Sequence, residues 1–250
     1  MQYLGSKRRF ACDIFDAIMR DISGDLFSLT DNLVPKNWIE PFVGVGGMMQ
    51  AVPSSFRRYG NDANYYLIAM HKAVQRGWVP PKEISKEKYM DIRRHKINYP
   101  QELVGFVGHA CSYGGQWFIT YARNGHRNYA LKGHNRLVAE APRLRDVIFS
   151  DGCYSRMAID AKDSIVYCDP PYRGRRSGYG ALPMDYERFY DWLSRLRKEG
   201  ARVYLSEYDL PPAYGTVIWE KAAILSVDGR RGREGERSSS VCTGLKRSYN

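Results

Sequence analysis

The 250-residue chain is short of the residues that would make it a metal protein, a disulfide scaffold or a membrane protein. Its five cysteines (Cys12, Cys111, Cys153, Cys168 and Cys242) are odd in number and far apart. No C-x-x-C or His-x-x-x-His pair occurs, which argues against both zinc and a disulfide framework. Reduced thiols predict a cytosolic protein. No segment approaches the roughly 18 consecutive apolar residues of a spanning helix, and the leading Met1-Gln-Tyr-Leu-Gly-Ser-Lys-Arg-Arg lacks the apolar core of a signal peptide. Acid is the scarcer charge: 27 Asp plus Glu stand against 38 Lys plus Arg, a formal +11 with a pI near 9.4. That excess favours a polyanionic partner, nucleic acid before membrane. There is no repeat and no low-complexity stretch, and the length suits one domain with a large insertion.

Against these absences stands one concentrated stretch, Ser164-Ile-Val-Tyr-Cys-Asp-Pro-Pro-Tyr172. Its first five residues form a mostly apolar, β-branched and aromatic run, the pattern of a buried strand. Two prolines then end any ladder, since neither donates a backbone N–H. Asp169 therefore stands at a strand's carboxyl end, where open α/β sheets bind their ligands, and Tyr172 lies just past a rigid turn.

Earlier in the chain, Phe10, Ile14 and Ile18 recur at helical spacing over Phe10–Ile22, with Lys7, Arg8 and Arg9 just before them. Cations oppose the dipole at a helix start, so they read as ligand contacts or as a solvated turn. Asn37–Phe42 reads as a strand running into the glycine-rich Val43-Gly-Val-Gly-Gly-Met-Met49, and a strand, glycine turn and helix bring backbone close to a cofactor. Arg57–Asn61 predicts the next strand. Asp62 at its end, 22 positions after Glu40, is placed to take ribose hydroxyls. The lesser alternative is that it only caps the helix Tyr65–Arg76, and it can do both. Met49 stands where a dinucleotide fingerprint would have its last glycine, which weighs against NAD.

From Pro80 the chain changes character. Charged and apolar helical segments (Lys82–Lys96, Leu103–His109) lead into a run that interleaves Tyr113, Trp117, Phe118, Tyr121 and Tyr129 with glycines, amides and arginines. Aromatics among Arg and Asn can stack on bases and bond base edges, or they can pack the insert's own core; we expect Trp117 and Phe118 to be buried. Candidate nucleic-acid contacts are Tyr113, Arg123, Asn124, Arg127, Lys132 and Arg136. The sheet resumes with Asp146–Phe149, Ser150–Tyr154 and Ser164–Cys168, followed by a helix Tyr186–Lys198. Further strands are expected at Arg202–Ser206, Thr216–Glu220, Ala222–Val227 and Val241–Leu245, with a mobile Gly/Arg/Glu loop at Asp228–Arg237. The domain plan is 1–79 with 147–250 as the catalytic body and 80–146 as the insert.

An acid and a free carbonyl followed by an aromatic suit one kind of chemistry. An exocyclic amine on a base is a poor nucleophile because its lone pair is delocalised into the ring. Asp169 and the carbonyl of Pro170 can accept its two hydrogens and favour a tetrahedral nitrogen, while Tyr172 offers a ring for an extruded base. No covalent intermediate or metal is needed.

Taken together, Tyr3-Leu-Gly-Ser-Lys7, Glu40-Pro-Phe-Val-Gly-Val-Gly46, Asn61-Asp62 and Asp169-Pro-Pro-Tyr172 resemble the Dam-type adenine-specific DNA methyltransferases. The resemblance covers roughly residues 1–75 and 147–250. It implies a Rossmann-like methyltransferase sheet with helices on both faces and a small inserted target-recognition subdomain. It also implies S-adenosylmethionine as methyl donor, double-stranded DNA as partner, a bacterial or phage-infected host, and at times a companion restriction endonuclease. By the same resemblance Tyr3, Lys7, Glu40, Phe42, Gly44, Gly46, Asp62 and Tyr154 line the cofactor pocket, and Asp169 lies between cofactor and target amine. One departure concerns specificity. GATC-reading members carry Tyr-Asn-Gly and, four residues after that Asn, an arginine, whereas this chain has Tyr113-Gly114-Gly115 and Phe118. The alternatives are an RNA adenine, cytosine 4-amino or protein glutamine methyltransferase, and a DNA-binding protein that has kept the fold without turnover.

Overall fold

Short apolar strands that alternate with amphipathic helices bury both sheet faces only if the strands run parallel between two helical layers. The computed structural model, which describes residues 6–26, 34–125, 127–172, 184–207, 216–224 and 239–243, has this arrangement. Strands β1 (Asn37–Glu40), β2 (Arg57–Asp62), β3 (Ile148–Asp151), β4 (Ser164–Cys168) and β5 (Arg202–Leu205) form a five-stranded sheet in the order β3-β2-β1-β4-β5. Every pairing is parallel. The sheet is Rossmann-like: the strand order reverses between β1 and β4, and the crevice at that reversal is where such sheets bind ligands. Glu40, Asp62 and Asp169 all lie at or just past the carboxyl ends of β1, β2 and β4, three adjacent strands.

Side chains alternate across this sheet as the two-residue period requires. Trp38, Ile165 and Tyr167 face helix α1 (Ala11–Leu26) and its Ile14, Ile18 and Ile22. Burying each isoleucine there is worth roughly 2 kcal/mol. Ile39, Val166 and Cys168 face the other way, toward Phe189, Leu193 and Leu196 of α6 (Tyr186–Lys198). Helix α2 (Tyr65–Gln75) sits on the α1 side and has two apolar faces. Ile68 joins the sheet core, while Leu67 and Met70 join a second core built by α3 (Lys86–Arg94), α4 (Gln101–Ala110) and α5 (Tyr129–Glu140). The 80–146 segment thus packs as a layer on the outer face of α2.

Several element limits differ from the sequence reading. Lys7–Phe10 forms a tight 3₁₀ turn that runs into α1, and Lys7 is buried. Strand β3 stops at Asp151, because Gly152 turns at φ 125° and puts Cys153 and Tyr154 into a loop. Thr216–Trp219 is not a strand. Pairing begins at Glu220, where β6 (Glu220–Ile224) meets β7 (Ser239–Thr243) in a separate antiparallel pair. The Asp228–Arg237 loop and Tyr3 lie outside the described residues.

One glycine decides how closely α4 approaches α2. A Cβ on Gly105 would lie 2.1 Å from the Tyr66 carbonyl oxygen, a backbone atom with nowhere to go. Gly105→Ala should therefore destabilise the protein by about 3 kcal/mol through overpacking, read as a lower melting temperature. An unchanged melting temperature would mean the two helices are not pressed together.

Candidate active site

The glycine turn is fixed through Gly44, whose φ of 52° needs a residue without a side chain. Its N–H donates to Asp62 Oδ2 at 3.0 Å, and Asp62 Oδ1 accepts from the Asn64 N–H at 2.8 Å. One carboxylate thereby ties the turn to the start of α2. The Gly44 carbonyl accepts from His71 Nε2 at 2.9 Å. Burial holds the His71 pKa down at about 4, so the ring is neutral and Nε2 carries the donated proton. His71 in turn stacks on Phe149, ring centroids 4.6 Å apart. Gly46 (φ 72°) approaches Leu144, and a Cβ on Gly47 would lie 2.7 Å from Ser6 Oγ and 3.3 Å from the Arg8 nitrogen. The leading turn therefore rests directly on the glycine turn.

Lys7 reaches from that contact to the end of β4. Its Nζ donates to Asp169 Oδ1 at 2.7 Å and to Oδ2 at 2.9 Å, and it also meets the Tyr172 hydroxyl. Tyr172 donates to Asp169 Oδ1 at 2.9 Å, and the Lys7 ammonium lies 4.9 Å from the Tyr172 ring centroid. Lys7 is buried and Asp169 is 21% exposed. A nitrogen thus sits between a carboxylate and a tyrosine, with its hydrogens aimed at the carboxylate. Pro170 is buried, and the Tyr186 hydroxyl donates to the Pro171 carbonyl at 2.5 Å, holding the proline turn against α6.

Glu40 is 2% exposed at the end of β1. It accepts from Trp38 Nε1 at 2.9 Å. Burial raises its pKa to about 8, with the nearby Asp169 charge adding to the rise. Burial likewise raises Asp62 to about 6 in spite of its two backbone donors. Beyond them, Phe42 and Tyr154 lie 5.4 Å apart, and Tyr154 packs edge-on against Phe189 and Trp192. Nothing in the sequence pattern marked Trp38, His71, Asn64 or Tyr186. Their roles depend on strand register and helix packing.

The structure therefore gathers Lys7, Glu40, Phe42, Gly44, Gly46, Asp62, Tyr154, Asp169, Pro170 and Tyr172 along one sheet edge. The insert's candidates lie apart from this group. Arg123, Asn124, Arg127 and Lys132 are exposed, and Arg136 is half-exposed and paired with Glu140 at 3.0 Å. Tyr113 is 56% exposed at the tip of a turn where Gly114 (φ 62°) and Gly115 (φ 70°) are both left-handed. Phe118 is buried as expected, while Trp117 is only partly so. Phe118 also holds a φ of 46°, a strained value for a bulky residue. Its N–H bond to the Gly108 carbonyl at 2.9 Å and its contacts with Tyr89 and Trp117 offset that strain.

The edge fits an S-adenosyl donor on these grounds. Asp62 is an enclosed carboxylate with room in its chemistry for further donors such as ribose hydroxyls. Glu40 is a buried acid that a cation would relieve. The Gly44–Gly47 turn supplies backbone without side chains. Among the described residues no cluster of His, Cys, Asp and Glu could hold a metal ion, and no helix is long and apolar enough to cross a membrane.

No protein-family model matches the chain, and no curated protein does. Among solved structures it is similar to the rRNA methyltransferase AviRa from Streptomyces viridochromogenes, with a TM-score of 0.36 and 12% identity over 96% of this chain and 84% of that one. It is also similar to SMU.472, described as a methyltransferase and complexed with SAH, with a TM-score of 0.33 and 12% identity over 92% of this chain. That match takes in 52% of SMU.472, so the chain spans about half its length. Both likenesses are too distant to bear on chemistry.

The raised acids carry a pH signature. A folded-state pKa above the unfolded value means that the folded protein holds the proton more tightly. Stability is then full below the unfolded value and falls as pH rises through the folded one. For Glu40 that window runs from 4.5 to about 8. Glu40→Gln, which mimics the protonated acid, should melt above wild type at pH 8.5 and converge with it near pH 4.5. Parallel melting curves across that range would show that Glu40 is not held neutral by burial.

Proposed function

We propose that the protein transfers a methyl group from S-adenosylmethionine to the exocyclic 6-amino group of an adenine extruded from duplex DNA. The observation that carries this reading is the nitrogen seat, where Lys7 Nζ is held by both carboxylate oxygens of Asp169 and by Tyr172 at the mouth of the sheet crevice. In this reading the target amine takes the place of Nζ. Asp169 and the Pro170 carbonyl accept its two hydrogens and turn the nitrogen lone pair outward, a stabilisation that grows as charge develops on nitrogen. Tyr172 packs on the base, and Lys7 withdraws by changing its own rotamer while its neighbours Ser6 and Arg8 stay on the glycine turn. The bound donor supplies an electrophilic sulfonium methyl. Asp62 takes its ribose, Glu40 its positive end, and Phe42 and Tyr154 enclose its base. Preplaced acceptors and exclusion of water do the remaining work.

A nucleic acid is favoured over other amine-bearing substrates by the net +11 charge and the exposed Arg123, Asn124, Arg127 and Lys132, and the resemblance of the Asp169-Pro-Pro-Tyr172 motif puts DNA before RNA. The sequence read need not be GATC. Phe118 is 5% exposed and points into the insert's core, so it cannot meet a base where the GATC readers place an arginine.

Incubating the protein with duplex DNA and labelled S-adenosylmethionine, then mapping the modified bases, tests the reading. Label should appear on adenine N6 within one short recurring sequence. Asp169→Ala should cut incorporation at least a thousand-fold, the scale for losing a preplaced charge acceptor, and leave duplex affinity within about two-fold. Undiminished incorporation by Asp169→Ala would overturn the catalytic assignment. Label in RNA and none in DNA would move the substrate to RNA.

A further inference from the structure

The leading turn and the insert are joined by an ion-pair cluster that the chemistry above leaves unused. Glu140 closes α5 with its side chain only 4% exposed. Its Oε1 accepts from Arg8 Nη1 at 2.5 Å and from Arg136 Nε at 3.0 Å. A single buried carboxylate thus faces two guanidiniums, one from each segment. Arg8 and Arg136 keep 38% and 35% of their side chains exposed.

Neither arginine is free to drift. The Arg8 backbone is pressed against Gly47, and Arg136 sits one helical turn before Glu140 on the same face of α5. A long flexible cation loses side-chain entropy when it grips an anion. Two guanidiniums already fixed against a buried carboxylate lose less, and their planar forks match the geometry of a phosphate.

We infer that Arg8 and Arg136, set by Glu140, form one shared seat for a nucleic-acid phosphodiester that bridges the leading turn and the insert. The inference rests on the nucleic-acid reading above and adds where the backbone crosses. Lys7 points inward to Asp169, and its neighbour Arg8 points outward to Glu140. A phosphate on this seat is therefore held by the residue next in sequence to the one that reaches Asp169. It would anchor the strand beside the extruded base, and it would make occupation of the insert by DNA felt directly at Lys7. The cluster differs here from a simple strut between the two segments. A strut sets stability alone, whereas a phosphate seat also releases counterions when DNA binds.

The test is fluorescence anisotropy with a labelled mixed-sequence duplex across a salt series, with a melting curve for every variant. Wild type should show a steep negative slope of log affinity against log salt. Arg8→Gln and Arg136→Gln should each reduce that slope by about one, the mark of one lost phosphate contact. The double variant should lose no more than either single, because the seat is shared. Arg8→Lys and Arg136→Lys should restore most of the slope. Arg195→Gln, an exposed arginine on α6 paired with Glu199, serves as a control and should leave it unchanged. If melting temperatures fall while the slopes stay at the wild-type value, the cluster is a strut and the inference fails. A drop of two in the double variant would replace the shared seat with two separate contacts and overturn it as well. Salt-independent binding by wild type would instead sink the nucleic-acid reading itself.

Discussion

Three acids ending three neighbouring strands set the terms for everything at this sheet edge. Parallel strands in the order β2-β1-β4 put Asp62, Glu40 and Asp169 side by side, with Glu40 buried and the other two half-buried. Such crowding has two outlets: a group can keep its proton, or it can find a cation. Glu40 takes the first, with its pKa pushed up to about 8, and Asp62 leans the same way, at about 6. Asp169 takes the second, through Lys7. The edge is therefore short of positive charge by construction. A ligand with a sulfonium and an ammonium group would relieve it, and for this reason the proposed donor suits the edge electrostatically.

The same edge is held together by contacts between segments far apart in the chain. Asp62 grips Gly44 from one side and His71 from the other, while Ser6 and Arg8 lie on Gly47. Because Lys7 lies between Ser6 and Arg8, its reach to Asp169 is fixed by the glycine turn and not by its own long side chain. That arrangement explains why a lysine, with large rotamer entropy, can sit buried beside Asp169. Any motion that withdraws Lys7 must shift the turn on Gly47 or unfold the lysine's own rotamer. The second costs less, because the backbone contact has no slack.

Much of this was legible in the chain. The strand before Asp169 showed its burial in Ile165, Val166 and Tyr167, and two prolines fixed where it had to end. Asp62 is marked by its distance from the glycine turn, and the structure shows it bonding that turn to Asn64, the residue just before α2. What sequence could not show were meetings across long separations: Lys7 with Asp169, Arg58 with Asp146, Arg8 with Glu140. A buried acid such as Glu140 late in an amphipathic helix looks like any solvated glutamate until another segment covers it. The Ser150–Tyr154 strand was overextended for a related reason. Its residues are β-compatible, but Gly152 adopts a φ of 125° that ends the ladder.

The insert shows how a local change can preserve shape and alter contact. Gly114 stands where the GATC readers that the chain resembles carry asparagine, and its φ of 62° lies in the left-handed region that asparagine tolerates better than most residues. The turn that presents Tyr113 thus suits either glycine or asparagine at position 114. Phe118 does the opposite. A side chain there is needed inside, between Gly108 and Tyr89, where a Cβ on Gly108 would already strike Phe118 and Trp117. An arginine at that position would have to bury its charge or break this packing, at a cost of several kcal/mol. The insert's core and an arginine at this position are therefore mutually exclusive. In the proposed reading, any base contact is therefore left to residues on the exposed side of the Tyr113 turn.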